Sequence, residues 1–260
     1  MMTAATDTIL ETHGLVKEFK GFVAVNDVNL KVRRGHIHAL IGPNGAGKTT
    51  CFNLLTKFLE PTRGTIRFNG HDITREKPAQ IARRGVVRSF QISAVFPHLT
   101  VLENVRVALQ RELGTSFHFW RSQRTLEVLD ERARGLLAQV GLEAYADAVT
   151  VELPYGRKRA LEIATTLALE PELMLLDEPT QGMGHEDVDR VMRLIKQVAA
   201  NRTILMVEHN MKVVSGISDR ITVLARGAVL AEGSYAEVAA DPQVIEAYMG
   251  SEAAELAGEH

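Results

Sequence analysis

The sequence predicts an α/β fold built on a mixed β-sheet, with a helical segment inserted between its two halves. Three observations carry that expectation. Near the N-terminus, 10–19 and 25–32 alternate apolar and polar residues, as half-buried strands do. From 157 to 235, short apolar runs alternate with segments of helical period, the pattern of α/β folds. Between these regions, 98–150 carries apolar residues at helical spacing. Of 260 residues, 45% are hydrophobic and 24% charged, which supports a sizeable core and excludes a disordered chain.

Taken in order, strands are expected at 10–19, 25–32, 38–41 and 65–68, the last ahead of the turn pair Asn69-Gly70. A helix is expected over 51–58, directly after a glycine-rich loop. In the inserted segment, 101–113 and 126–140 read as helices. The second is marked by Leu126, Leu129, Leu136, Leu137 and Val140, with Gly141 as its stop. The α/β alternation then resumes. A helix opens at 157–158, a strand at 173–176 and a helix at 188–199, followed by strands at 203–207, 221–224 and 228–232. The tail, 251–260, is small and polar and is expected to fray.

Charge and cysteine usage narrow the function classes. Formal net charge is −2, so nothing in the electrostatics calls for a nucleic-acid partner. Arg83, Arg84 and Arg88 are read as a solvated face. The single cysteine, Cys51, allows no intramolecular disulfide and no cysteine-based metal site, and it reads as a small buried residue. The first 15 residues lack the basic-then-apolar order of a signal peptide. No window approaches the roughly 18–20 apolar residues of a membrane span. A membrane role would therefore need docking on a partner that spans.

Two motifs carry chemistry. Gly42-Pro43-Asn44-Gly45-Ala46-Gly47-Lys48-Thr49-Thr50 fits the phosphate-binding pattern G-x-x-x-x-G-K-[ST], with a strand before it and a helix after it. Its glycines let successive backbone N–H groups curl toward phosphate oxygens at a helix N-terminus. Lys48 reaches the terminal phosphates, and Thr49 offers a hydroxyl to Mg²⁺. The second motif is Asp177-Glu178, at the end of the apolar run Leu173-Met174-Leu175-Leu176. Sites in parallel α/β sheets lie at the carboxyl ends of strands, so both motifs are expected to face each other. Asp177 is assigned to the Mg²⁺ shell, and Glu178 to polarising or deprotonating the attacking water.

With those residues in place, the chain resembles the ATP-binding subunits of ABC transporters over about 10 to 250. The resemblance implies a P-loop NTPase core, a RecA-like mixed sheet with an antiparallel β portion, formed by 9–97 and 152–235. It implies an inserted helical subdomain at 98–151 and a C-terminal helix and flexible tail at 236–260. Phe19 matches the aromatic that stacks on adenine, with Phe22 close by. Gln91, in Val87-Arg88-Ser89-Phe90-Gln91, matches the glutamine that touches Mg²⁺ and the water. His209, in Met206-Val207-Glu208-His209, matches the histidine near the γ-phosphate.

Leu153-Pro154-Tyr155-Gly156-Arg157 matches the family signature, most often Leu-Ser-Gly-Gly-Gln, which caps the γ-phosphate held by the other subunit. Here Pro154, Tyr155 and Arg157 depart from that pattern and Gly156 is kept, so capping falls to Tyr155 and Gly156 backbone groups, the helix dipole and Arg157. Gly184 stands where the family often carries an acidic or amide residue.

The implied cofactors are ATP and Mg²⁺. The implied partners are a second ATP-binding subunit, as homo- or heterodimer, membrane-spanning permease subunits and, indirectly, a substrate-binding protein, with no nucleic acid. The implied place is the cytoplasmic face of the inner membrane, as a peripheral subunit. The tyrosine in the signature, Leu161-Glu162-Ile163-Ala164 and the ending Ile245-Glu246-Ala247-Tyr248-Met249-Gly250 look most like subunits for branched-chain amino-acid uptake. Subunits for urea or short-amide uptake and for lipopolysaccharide export look similar. A soluble ABC-type ATPase is disfavoured because neither a long coiled-coil insertion nor a second cassette is present. A kinase or GTPase is disfavoured because no Asn-Lys-x-Asp motif occurs.

Overall fold

The computed structural model describes residues 7–89, 95–110 and 129–249. β1 (Thr8–Phe19) is long enough to serve several partners. Its second half pairs antiparallel with β2 (Phe22–Val28), and its first half with β3 (Lys31–Arg33). The single strand expected at 25–32 is therefore two. Asp27, at a left-handed φ of 52°, sits where the β1–β2 register shifts between Leu15 and Lys17, the pairing ends at Val28, and Asn29 Oδ1 accepts from Gly14 N–H at 2.8 Å. β4 (Ile37–Ile41) is buried along its whole length and feeds the glycine loop and α1 (Lys48–Leu55). This helix starts at Lys48, ahead of the expected 51, because Gly47 at φ 97° turns the chain straight into it. It ends early because Lys57 is left-handed at φ 62°.

β5 (Arg63–Phe68) pairs antiparallel with β1, and β6 (His71–Asp72) closes a hairpin onto it. Asn69 and Gly70 both have positive φ, 50° and 76°, as a type I′ turn requires. A short helix, α2 (Pro78–Arg83), and β7 (Val86–Ser89) follow. α3 (Val101–Leu109) opens on a capping box between Thr100 and Glu103. α4 (Asp130–Gln139) ends in a Schellman motif, with Gly141 N–H on Ala138 O and Leu142 N–H on Leu137 O. Gly141, at φ 71°, is the expected stop. The expected helical residues 111–113 and 126–128, and the tail 251–260, lie outside the described residues.

α5 (Tyr155–Leu167) begins before the expected 157–158, which puts Gly156 inside its first turn. β8 (Leu173–Asp177), α6 (His185–Ala199), β9 (Thr203–Val207), α7 (Met211–Ile217), β10 (Arg220–Ala225), β11 (Ala228–Gly233) and α8 (Tyr235–Ala239) complete the order, with 242–249 also helical. The second sheet runs β11-β10-β4-β9-β8-β7, parallel throughout except for the antiparallel edge strand β11. Antiparallel strands thus form the first sheet and parallel strands the second, a mixed α/β fold.

Pleating of the parallel sheet divides the core in two. Ala39, Ile41, Met174, Leu176, Ile204 and Met206 face a cluster shared with α3, α4, α5 and α6. Leu40, Leu173, Leu175, Leu205 and Val207 face a second cluster shared with α1 and the antiparallel sheet. Strands buried on both faces carry continuous apolar runs, which explains why Leu173-Met174-Leu175-Leu176 reads as a run rather than an alternation. Cys51 is fully buried in the second cluster, and burial pushes its thiol up to about 12.

Candidate functional site

β4, β8 and β9 are parallel neighbours, so their carboxyl ends open on the same edge of the sheet. The glycine loop leaves β4, Glu178 leaves β8, and His209 lies beyond β9. A cleft of about 310 Å³ lies there, lined by Phe22, Ala24, Asn44, Gly45, Ala46, Gly47, Lys48, Thr49, Thr50 and Glu178. The loop residues and Glu178 are thus brought together as the sequence predicts. The loop's shape requires its glycines. A Cβ on Gly42 would lie 2.1 Å from Leu224 O, and one on Gly47 would lie 2.5 Å from Ala24 O.

Lys48 folds over its own loop. Its Nζ donates to Gly42 O at 2.7 Å and Pro43 O at 3.0 Å. Burial pulls its ammonium below the usual lysine value, and the charge of Glu178 works against that pull. Glu178 has φ 44° and donates its N–H to Val207 O at 2.9 Å. This left-handed turn separates the acidic pair. Glu178 lines the cleft, while Asp177 turns the other way and pairs with Arg88.

Arg88 also donates to Asn53 Oδ1 at 2.7 Å and lies over the rings of Phe52 and Phe58. The expectation of a solvated basic face is therefore corrected for Arg88. It lies on β7, next to β8, and its largely buried side chain reaches across to the acidic strand end. Arg84 matches the expectation, holding Glu76 at the surface.

His209 follows β9 with its ring exposed rather than in the cleft wall. The preceding residue does the bracing. Glu208 is fully buried and its carboxylate accepts from Thr180 N–H at 3.1 Å, Thr180 O–H, His209 N–H at 2.9 Å and Asn210 N–H at 3.0 Å. It ties the chain just past Glu178 to the chain carrying His209. Gln91 lies outside the described residues.

Phe19 and Phe22 sit opposite each other across the β1–β2 hairpin and share one face. Phe22, at 67% exposure, lines the cleft; Phe19 is 40% exposed, with Lys17 over its ring at 5.0 Å. Phe22 is thus the aromatic that the structure brings to the phosphate loop. At the signature, Pro154 caps α5 without a side-chain bond, Tyr155 is exposed, and Arg157 stacks on Tyr145 at 4.0 Å. Gly156 has a reason within its own chain to lack a side chain, since a Cβ there would lie 2.6 Å from Asp187 Oδ1.

Thr49 and Asp177 are oxygen donors of the kind Mg²⁺ takes, and no group of three or more His, Cys, Asp or Glu forms a metal cage among the described residues. Thr49 lines the cleft, where its hydroxyl can meet an ion carried in with substrate phosphates, whereas Asp177 would have to turn from Arg88 to join it. Arg88, read as solvated, and Glu208, Arg159 and Glu162, given no role in the sequence reading, all brace the site. The last two had a signal, opposite charges one turn apart in the apolar stretch Ala160-Leu161-Glu162-Ile163-Ala164. Glu208 had one too, a carboxylate beside His209 at a strand end.

A phosphate loop on a central parallel strand, facing an acidic strand end across one cleft, defines a phosphate-loop nucleotide hydrolase. A family model described as ABC transporter matches residues 25–181, and one described as Branched-chain amino acid ATP-binding cassette transporter matches residues 228–254. The high-affinity branched-chain amino acid transport ATP-binding protein BraF of Pseudomonas aeruginosa is 43% identical over 93% of this chain and 98% of its own. LivG of Escherichia coli K12, which carries the same description, is 42% identical over the same shares. Among solved structures, the ADP conformation of an ATP-binding cassette of an ABC transporter aligns with TM-score 0.83 and 31% identity, covering 94% of this chain and all of that one. A bacterial ABC transporter cassette described as dimeric aligns with TM-score 0.72 and 25% identity, covering 87% and 98%. The chain belongs to the ABC transporter ATP-binding family and is an ABC-type ATPase.

Proposed function

We propose that this chain is the ATP-hydrolysing motor of a transporter for branched-chain or related amino acids, working in a dimer with a second ATP-binding subunit against membrane-spanning permease subunits. Its place is the cytoplasmic face of the inner membrane. No helix among the described residues is long and apolar enough to cross a membrane. The cargo reading is supported by the C-terminal family match at 228–254 and by the names of the relatives. The observation that carries the motor reading is the convergence of Lys48, Thr49 and Glu178 on one cleft.

In this reading ATP's triphosphate lies in the loop, against its backbone N–H groups and the α1 N-terminus. Lys48 leaves the Gly42 and Pro43 carbonyls for the β- and γ-phosphates. Thr49 would hold Mg²⁺ with Gln91, and with Asp177 once it turns from Arg88, and the ion would neutralise phosphate charge. Glu178 orients and polarises the water, His209 meets the γ-phosphate, and Phe19 with Phe22 flanks the base. The Tyr155-Gly156 tip of α5 seals the phosphates of the partner subunit, whose own tip seals this one. The helical stretch within 98–151 acts as the subdomain that carries that tip, and the chain past 235 as its C-terminal extension.

An apolar groove of about 440 Å³ beside the site fits a permease segment, with exposed Phe58, Phe96 and Val107 among its walls. Its floor includes Arg88, the partner of Asp177, so docking there touches the acidic strand end. ATP that favours the closed dimer and products that favour the open one would drive the permease by differential affinity.

The test is Glu178→Gln with ATP on a sizing column. A stable ATP-bound dimer is expected, and a chain that stays monomeric at saturating ATP refutes the reading. Permease subunits of an amino-acid transporter are expected to co-purify from detergent extracts.

A further inference from the structure

Behind the acidic end of β8 lies a buried ion pair that no step above uses. Arg159 and Glu162 on α5 are 3% and 1% exposed, with Nη1 donating to Oε2 at 2.6 Å. The same guanidinium donates from Nη2 to Asp177 O at 2.8 Å and from Nε to Pro179 O at 3.2 Å. Those carbonyls belong to the residues on either side of Glu178, whose own φ is 44°. Glu162 in turn accepts from Ser89 Oγ at 2.7 Å, at the end of β7. One helix thus grips the ends of two strands of the catalytic sheet.

Stability alone is a poor reason for such a pair. Taking two charges out of water is costly, and well-packed apolar residues of similar volume serve a core as well or better. Burial pushes the Glu162 carboxyl up from its usual value, against the opposing pull of Arg159 and Ser89. What apolar residues cannot supply is a rigid fork of donors that fixes two carbonyls and a carboxylate at once. A left-handed, non-glycine Glu178 is a conformation that persists only when its surroundings impose it.

We propose that Arg159 is a positioning residue for ATP hydrolysis, setting Glu178 through the carbonyls of Asp177 and Pro179, with Glu162 fixing the guanidinium. Because Arg159 lies one turn beyond Gly156 on α5, it also ties the helix tip assigned to the partner's phosphates to this chain's own acidic pair. The inference rests on the reading of Glu178 as the water-polarising group.

The experiment compares wild type, Arg159→Met/Glu162→Leu and Arg159→Lys in the full chain, with Glu178→Gln as control. Melting temperature, ATP affinity and the kcat and KM of hydrolysis are measured for each. The double variant removes both charges together but leaves the Asp177 and Pro179 carbonyls and Ser89 Oγ without these partners, so it is expected to stay folded, melt several degrees below wild type and bind ATP within about twofold. Its kcat should fall on the order of 10²-fold, the loss expected for a misplacement of about 1 Å, with KM little changed. Arg159→Lys keeps the ion pair but not the fork, and a smaller loss confined to kcat is expected. Wild-type kcat in a folded double variant overturns the proposal. If the double variant does not fold, Arg159→Lys decides: a kcat loss without a change in KM supports the proposal, and wild-type kcat overturns it. Undiminished hydrolysis by Glu178→Gln would instead sink the reading of Glu178 itself.

Discussion

Glu208→Ala should destabilise this protein by about 2–6 kcal/mol and cut hydrolysis with it. The carboxylate is fully buried and accepts from four donors: Thr180 N–H, Thr180 O–H, His209 N–H and Asn210 N–H. Each buried donor left without an acceptor costs about 1–3 kcal/mol, so losing all four bounds the effect at about 4–12 kcal/mol. A water admitted into the vacated space can serve two of them, which halves that range. For a chain of this size, the melting temperature falls roughly 5–20 °C. Glu208→Gln keeps the shape and one acceptor oxygen and should cost less than half as much. The same substitution frees the Thr180 and His209 segments that flank the cleft, so kcat should drop more than ATP affinity. Urea unfolding, with hydrolysis measured below the transition, reads both effects. A loss under about 1 kcal/mol for Glu208→Ala would show that these hydrogen bonds do not hold the site.

Lys48→Ala removes a charged contact to phosphate worth about 1.5–3 kcal/mol, which weakens ATP about 10–150-fold in a nucleotide titration; unchanged affinity and turnover would refute the phosphate-loop reading. Gly42→Ala drives a Cβ to 2.1 Å from Leu224 O, so urea unfolding should show a loss of at least about 2 kcal/mol, and wild-type stability would mean the loop is not held against β10. Acid should unfold the chain partly through His38. Burial, aided by the charges of Arg220 and His36, lowers its pKa from 6.5 to about 3, so the unfolded chain takes a proton that the folded one refuses. The stability this group contributes at pH 7 is lost as pH falls below 6.5, at about 1.4 kcal/mol per unit and about 2 kcal/mol by pH 5. His38→Gln should flatten that slope, and an unchanged slope would exclude His38 as its source.

The local elements were legible where one residue type decides the backbone. Asn69-Gly70 set a turn, Gly141 stopped a helix, and the phosphate loop declared itself by glycine spacing. Legibility failed where backbone conformation departs from residue preference. The expected strand 25–32 breaks after Val28, where Asn29 turns its side chain to Gly14, and Lys57 takes a positive φ that shortened one helix. Arg88 read as solvated because three arginines sat close in sequence, yet strand β7 delivers it to Asp177.

By itself, the sequence determined the chemistry present, namely a phosphate cradle, an acidic strand end and the family to which both belong. Those follow from short-range rules, since a glycine's freedom, a lysine's charge and a strand's apolar run are properties of neighbours in the chain. Only the tertiary structure decided which acid faces the cleft, which aromatic lines it, and that Glu208, Arg159 and Glu162 hold it. Those are contacts between strand ends and helices far apart in sequence, and their pairing is set by sheet order and register, which no local pattern encodes.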